Sequence, residues 1–157
     1  MSSRVPLDVF PTAAPFDSHV LHLQPVPRAV NETRRFLRDR APKLPPGVED
    51  ALLLLSSELV TNAVLHARTD IDVTLLVNED YVAVAVHDLD LTLPGHDPYA
   101  DREGGCGLGI VRAMADAQGM SPDPHGGKTA WFRLARHRAI DVPDASARRP
   151  GTDGQDR

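Results

Sequence analysis

The chain has 157 residues, a formal net charge of −5 at pH 7 and a pI near 5.7. That length suits one domain, the acidity argues against a general nucleic-acid binder, and the longest apolar runs, Ala51 to Leu55 and Val82 to Val86, are far too short to span a bilayer. A single cysteine, Cys106, excludes an internal disulfide framework and suits a reducing cytoplasm, and the first residues lack the charged start and apolar core of a secretory signal.

Proline punctuates the sequence: there are 14, and none falls between Gly47 and Leu93. The regular core is expected there. Residues 1–17 carry Pro6, Pro11 and Pro15 with little periodicity and are expected as a flexible N-terminal arm. The end from about Asp141 lacks apolar anchors, and residues 138–157 are expected as a disordered tail. The folded domain is then 18–137.

Val20 to Leu23 is the first strand candidate. Val26, Ala29, Val30, Thr33 and Leu37 recur at helical spacing, with Arg28, Arg34, Arg35 and Arg38 mostly on the outer face. Pro27 fits a first helical turn, and Pro45-Pro46-Gly47 stops whatever precedes it. Glu49 and Asp50 open a second, strongly apolar helix that runs to about Ala67. Ile71, Val73, Leu75 and Val77 then alternate with polar residues, as a strand does. A turn at Asn78-Glu79-Asp80 leads to a second alternation, Val82, Val84, Val86. The stretch from Asp88 to Cys106, roughly eighteen residues, is long for a connection and more often functional than idle. Leu108, Val111, Met114 and Ala115 mark a third helix, with Gly119 expected as its stop. A turn at Asp123 to Gly127 precedes a last strand through Ala130, Phe132 and Leu134. The order is not alternating βαβ. It predicts an α+β fold, a two-layer sandwich of a mixed, mostly antiparallel sheet with helices on one face.

Glu58, Asn62 and His66 lie four residues apart on the second helix. Steps of four drift by about 40° on a 3.6-residue helix, so the three predict one narrow polar stripe. A carboxylate and an amide oxygen in line suit magnesium and phosphate chemistry, because magnesium takes oxygen ligands and few of them from protein. Glu58 can orient or deprotonate a hydroxyl, and His66 can assist the phosphates or hold the geometry. The competing reading is the solvated face of an amphipathic helix. A zinc site is disfavoured, since only His66 is a strong zinc ligand.

Glu103-Gly104-Gly105-Cys106-Gly107-Leu108-Gly109-Ile110 runs into the third helix. Glycines let backbone approach a phosphate, and helix N-terminal amides point at anions. The Lys-Ser/Thr ending of a Walker loop is missing and no parallel βαβ unit surrounds the cluster, so a hinge or tight turn competes with a phosphate cradle. Asp88 ends a strand. It can accept a hydrogen bond from an exocyclic amine such as adenine's, or it is a turn residue. Cys106 at a helix start could be nucleophilic, but a cysteine hydrolase needs a positioned base and no family signature surrounds His66 or His87.

Three features stand in order: Glu58-Leu59-Val60-Thr61-Asn62-Ala63 on a helix, Asp88 ending a strand, and Gly107-Leu108-Gly109-Ile110-Val111 opening a helix. A late strand, Gly127-Lys128-Thr129-Ala130-Trp131-Phe132, completes the set. The combination resembles the Bergerat-type ATP-binding fold of gyrase B subunits, heat-shock chaperones, sensor histidine kinases and MutL-type repair proteins. It looks most like the small bacterial branch of anti-sigma-factor serine/threonine kinases. The resemblance spans about residues 20 to 136.

The resemblance implies roles. Asn62 would coordinate Mg²⁺ between the ATP phosphates, and Glu58 would be the general base for an attacking hydroxyl. Asp88 would bind the adenine amino group, with Thr129 near the same end. Gly105, Cys106, Gly107 and Leu108 would contact phosphates, His66 would assist, and residues 89–106 would form a lid in which Pro94 matches a proline of this branch. The implied partners are an anti-anti-sigma antagonist, phosphorylated on serine or threonine, and a sigma factor, with no direct nucleic acid and no membrane. Family members often pair as homodimers, though no exposed apolar stripe compels it here. Two departures stand out: Asp88-Leu89-Asp90-Leu91 lacks the glycines that often follow the aspartate, and Cys106 replaces an arginine. They leave open a binding module that uses ATP or ADP only to set its conformation. A sensor histidine kinase fits poorly, because no helical dimerisation domain is present.

Overall fold

The computed structural model describes residue 9, residues 15–90, residues 109 and 111, and residues 113–137. Its elements in chain order are β1 (Asp17–Leu23), α1 (Arg28–Arg40), α2 (Pro46–Asn62) continued by a π turn (Ala63–Ala67), β2 (Ile71–Val77), β3 (Tyr81–Asp88), β4 (Ala117–Pro122) and β5 (Lys128–Ala135). The five strands form one sheet in the order β1-β2-β3-β5-β4. Every pairing is antiparallel. The expected α+β sandwich is therefore present, and its sheet is purely antiparallel among the described residues rather than mixed.

The period-2 pattern sorts the sheet into two faces. Ile71, Val73, Leu75, Val82, Val84, Val86, Phe132 and Leu134 face the helices and join Leu37, Leu52, Leu55 and Val60 in the main core. α1 contributes Ala29, Thr33 and Leu37, each a step of four apart, and the Thr33 hydroxyl donates back to Ala29 O at 2.8 Å. Arg34 staples the helices together: its Nη1 donates to Ser57 Oγ at 3.1 Å and to Leu53 O at 3.4 Å. α2 is apolar almost all round because it lies between the sheet and α1. Pro46 occupies its first turn, so the double proline starts α2 as well as separating it from α1, which already ends at Arg40.

The outer face carries a second, smaller cluster of Leu76, Ala83, Ala85 and Trp131, with Tyr81 and Ala117 against it. Val9 completes this cluster at 1% exposure, and Arg133 Nη1 donates to its carbonyl at 2.8 Å. The segment expected as a flexible arm thus contains an anchored residue, and β1 begins at Asp17 rather than Val20. The rest of residues 1–14 and the whole of 138–157, expected as a tail, lie outside the described residues.

Two turns match expectation. Asn78 Oδ1 accepts from the amides of Asp80 at 2.9 Å and Tyr81 at 2.7 Å, closing the β2–β3 hairpin. Asp123 N donates to Gly127 O at 2.9 Å, closing β4 to β5. The third helix is helical at Gly109, Val111, Ala113 and Met114, and Val111 is buried in the main core. Gly119 is not its stop. It sits inside β4 beneath Trp131, where a Cβ would come within 2.8 Å of the indole. No helix among the described residues is long and apolar enough to cross a membrane.

Candidate functional site

α2 presents Glu58 and Asn62 half-buried on one line, and neither side chain hydrogen-bonds to a described residue. Two polar groups with no hydrogen-bond partner among the described residues, on an otherwise apolar helix, suit a place where a ligand or water meets them. His66, the third residue of the predicted stripe, lies just beyond α2. From Ala63 the helix loosens into a π turn, closed by Arg68 N donating to Ala63 O at 3.4 Å. With more residues per turn, a step of four no longer overshoots a full turn, and His66 is exposed. Arg68 ends the turn with a left-handed backbone, φ 55°.

The π turn packs on β3, and the chain after it is tied to the end of that strand. Leu89 N donates to Thr69 Oγ1 at 3.0 Å. This brings the C-terminal end of the α2 line to the strand end that carries Asp88. Asp88 is 4% exposed, and alternation from Val86 places it on the helix-facing side of the sheet. A carboxylate this buried is kept where it is paired or hydrogen-bonded. Its Oδ1 accepts from Asp90 N at 2.9 Å and lies 3.4 Å from Lys128 Nζ. No described residue hydrogen-bonds to Oδ2.

The backbone of Asp88 is held from the other side by the β4–β5 turn. Gly127 has φ +84°, and a Cβ there would stand 1.9 Å from Asp88 O. Only glycine permits so close an approach. His87, next to Asp88, points to the outer face, where its Nε2 lies 3.2 Å from both Gly126 O and Asp123 Oδ2. Both neighbours of this strand end are therefore fixed by one turn.

Thr129 is placed differently from expectation. It pairs in register with His87, not Asp88, and so belongs to the outer face. There it continues a polar row that crosses the sheet, His22, Asp72, His87, Thr129, Ser121, each directly opposite the next. Lys128 takes the position directly opposite Asp88, one residue from Thr129. Sequence reasoning passed over Lys128, Gly127 and Thr69. For Lys128 a signal existed: it keeps step with Ala130, Phe132 and Leu134, all on the helix-facing side.

Pro94, Gly105, Cys106, Gly107 and Leu108 lie outside the described residues, as does the expected lid. What the described residues bring together is a carboxylate and an amide on α2, and a buried carboxylate with an ammonium beside it at the end of β3. Among the described residues no three His, Cys, Asp or Glu side chains converge as a metal cluster. The donors at Glu58 and Asn62 are oxygen donors, two in number, which fits an ion that takes most of its ligands from phosphates and water.

The model of the family described as histidine kinase-like ATPase domain matches residues 23–133. No curated protein matches the chain. The matched span includes α2, β3 and β5, and so every described residue of the site.

Proposed function

The chain belongs to the histidine kinase-like ATPase domain family, and on that premise we propose that it is an anti-sigma-factor kinase: it binds magnesium-ATP between α2 and the end of β3 and phosphorylates an antagonist protein. The observation that carries this reading is the pairing of two side chains on α2, Glu58 and Asn62, that hydrogen-bond to no described residue, with a buried Asp88 whose Oδ2 takes no hydrogen bond from a described residue. Asp88 accepts from the exocyclic amine of adenine, and the phosphates lie toward Asn62.

Asn62 would hold Mg²⁺ through its amide oxygen, and the ion, when bound, would supply charge neutralisation at the phosphates. Glu58 takes the proton of a serine or threonine hydroxyl on the antagonist. The hydroxyl oxygen forms a bond to the γ-phosphorus as the bond from that phosphorus to the β-bridging oxygen breaks, and ADP leaves. Such transfer needs mainly positioning and charge compensation, which one base and an oriented amide supply. The bound sigma factor is released or retained according to the state of the antagonist, in the cytoplasm.

A second reading is favoured by Cys106 standing where the branch commonly has an arginine, and by Asp88-Leu89-Asp90-Leu91, which lacks the glycines that often follow the aspartate. In it the protein binds nucleotide and regulates a partner by docking alone. Calorimetric titration with ADP and ATP, with Mg²⁺ and then with EDTA, tests the site. Magnesium-dependent binding lost in Asn62→Ala is expected; no binding in any condition refutes the proposal. Glu58→Gln separates the two readings when a candidate antagonist is present. It should bind ATP and transfer no phosphate, whereas wild-type protein that binds and never labels any antagonist supports docking alone.

A further inference from the structure

Lys128 is the one cation that the structure sets against Asp88 among the described residues. Its side chain is 13% exposed, beside carboxylates that are 6% exposed at Asp88 and 23% at Asp90. Lysine is rarely buried to that extent unless it is paired. Nζ lies 3.4 Å from Asp88 Oδ1 and 3.4 Å from Asp90 Oδ2. Charge-assisted hydrogen bonds are usually shorter, about 2.7–2.9 Å. The ammonium is therefore held between two acids by charge, without short hydrogen bonds that a ligand would have to break. It carries three N–H donors, and the two acids account for two.

Asp88 presents an acceptor, Oδ2, and Lys128 presents a donor, on the same face of adjacent strands in direct register. An aminopurine edge offers the complement: an exocyclic amine that donates and, beside it, ring nitrogen N1 that accepts. Resting on the nucleotide reading above, we infer that Lys128 is a base-contacting residue whose third N–H donates to N1 while Asp88 Oδ2 accepts from the amine. Asp90 has the supporting part: its amide fixes Asp88 Oδ1 at 2.9 Å, and its carboxylate draws the ammonium into place.

The test is titration of the full chain with ADP and with 1-deaza-ADP, in which N1 is replaced by C–H, for wild type and Lys128→Met. Wild type should bind 1-deaza-ADP roughly tenfold more weakly than ADP, as expected for one hydrogen bond from a charged donor. Lys128→Met should bind ADP weakly by the same factor and no longer distinguish the two nucleotides. A variant that still prefers ADP by the wild-type factor overturns the assignment. So does equal affinity of wild type for the two nucleotides, a result that stands even if Lys128→Met proves unfolded by circular dichroism. Wild type that binds neither nucleotide overturns the nucleotide reading itself, and this assignment with it.

Discussion

Gly127→Ala is the sharpest perturbation available to the site, because it moves Asp88 without touching a side chain. The added Cβ would stand 1.9 Å from Asp88 O and 2.8 Å from Leu89 Cα. Neither contact can be relieved by a rotamer change, since both atoms are backbone. An alanine at φ +84° also bears the left-handed penalty of about 1–2 kcal/mol. Adding about 1–3 kcal/mol for forced overpacking gives roughly 3 kcal/mol, or a fall in Tm on the order of 10 °C. Gly126→Ala is the internal control. Its φ is +110°, so the backbone penalty recurs, but its Cβ meets nothing within 4 Å. The difference between the two variants isolates the steric push on the end of β3. Thermal melts followed by ADP titration make the comparison. Gly127→Ala should melt several degrees below Gly126→Ala and lose most of its nucleotide affinity, while Gly126→Ala keeps it. Equal melting and equal ADP affinity in the two variants would refute the argument that this turn positions Asp88.

Asp88→Asn replaces the buried acceptor with a group that also donates, and ADP affinity should fall about 10- to 100-fold by calorimetry, with the fold retained. Gly119→Ala drives a methyl to within 2.8 Å of the Trp131 indole; it should cost about 1–3 kcal/mol in urea unfolding and shift the fluorescence of the single tryptophan. Arg34→Ala removes hydrogen bonds to Ser57 Oγ and Leu53 O between the helices, and about 1 kcal/mol should be lost in the same assay with ADP affinity unchanged.

The helix-facing half of the fold was legible because its pattern is local. Ile71, Val73, Leu75 and then Val82, Val84, Val86 alternate without interruption, and the Asn78 turn between them has a side-chain mechanism. The α2 line was legible as far as Asn62. The π turn that carries His66 was not legible, because nothing in Ala63 to Ala67 announces a change from 3.6 residues per turn. Thr129 carries the resemblance to the family, while the alternation through Ala130 and Phe132 puts Lys128 on the Asp88 side and Thr129 on the other. Gly119 read as a helix stop because glycine serves both roles, and only the indole of Trp131 across the ladder distinguishes them. Val9 had little local signal. Its contacts, Leu76, Ala83, Ala85 and Trp131, lie far along the chain, and the alternation Val5, Leu7, Val9 is short, with Pro6 inside it and Pro11 soon after.

That valine has a practical consequence for anyone who shortens this protein. A version trimmed to start at β1 would look economical, since the sheet, both long helices and the whole site would remain. It would also strip the cover from Leu76 and Trp131 and leave Arg133 without its carbonyl partner. The newly wetted patch lies on the sheet face away from the helices and Asp88, so such a protein would keep the candidate site and gain a tendency to stick to itself. Poor solubility after trimming would then report on the lost first residues and not on a damaged catalytic domain.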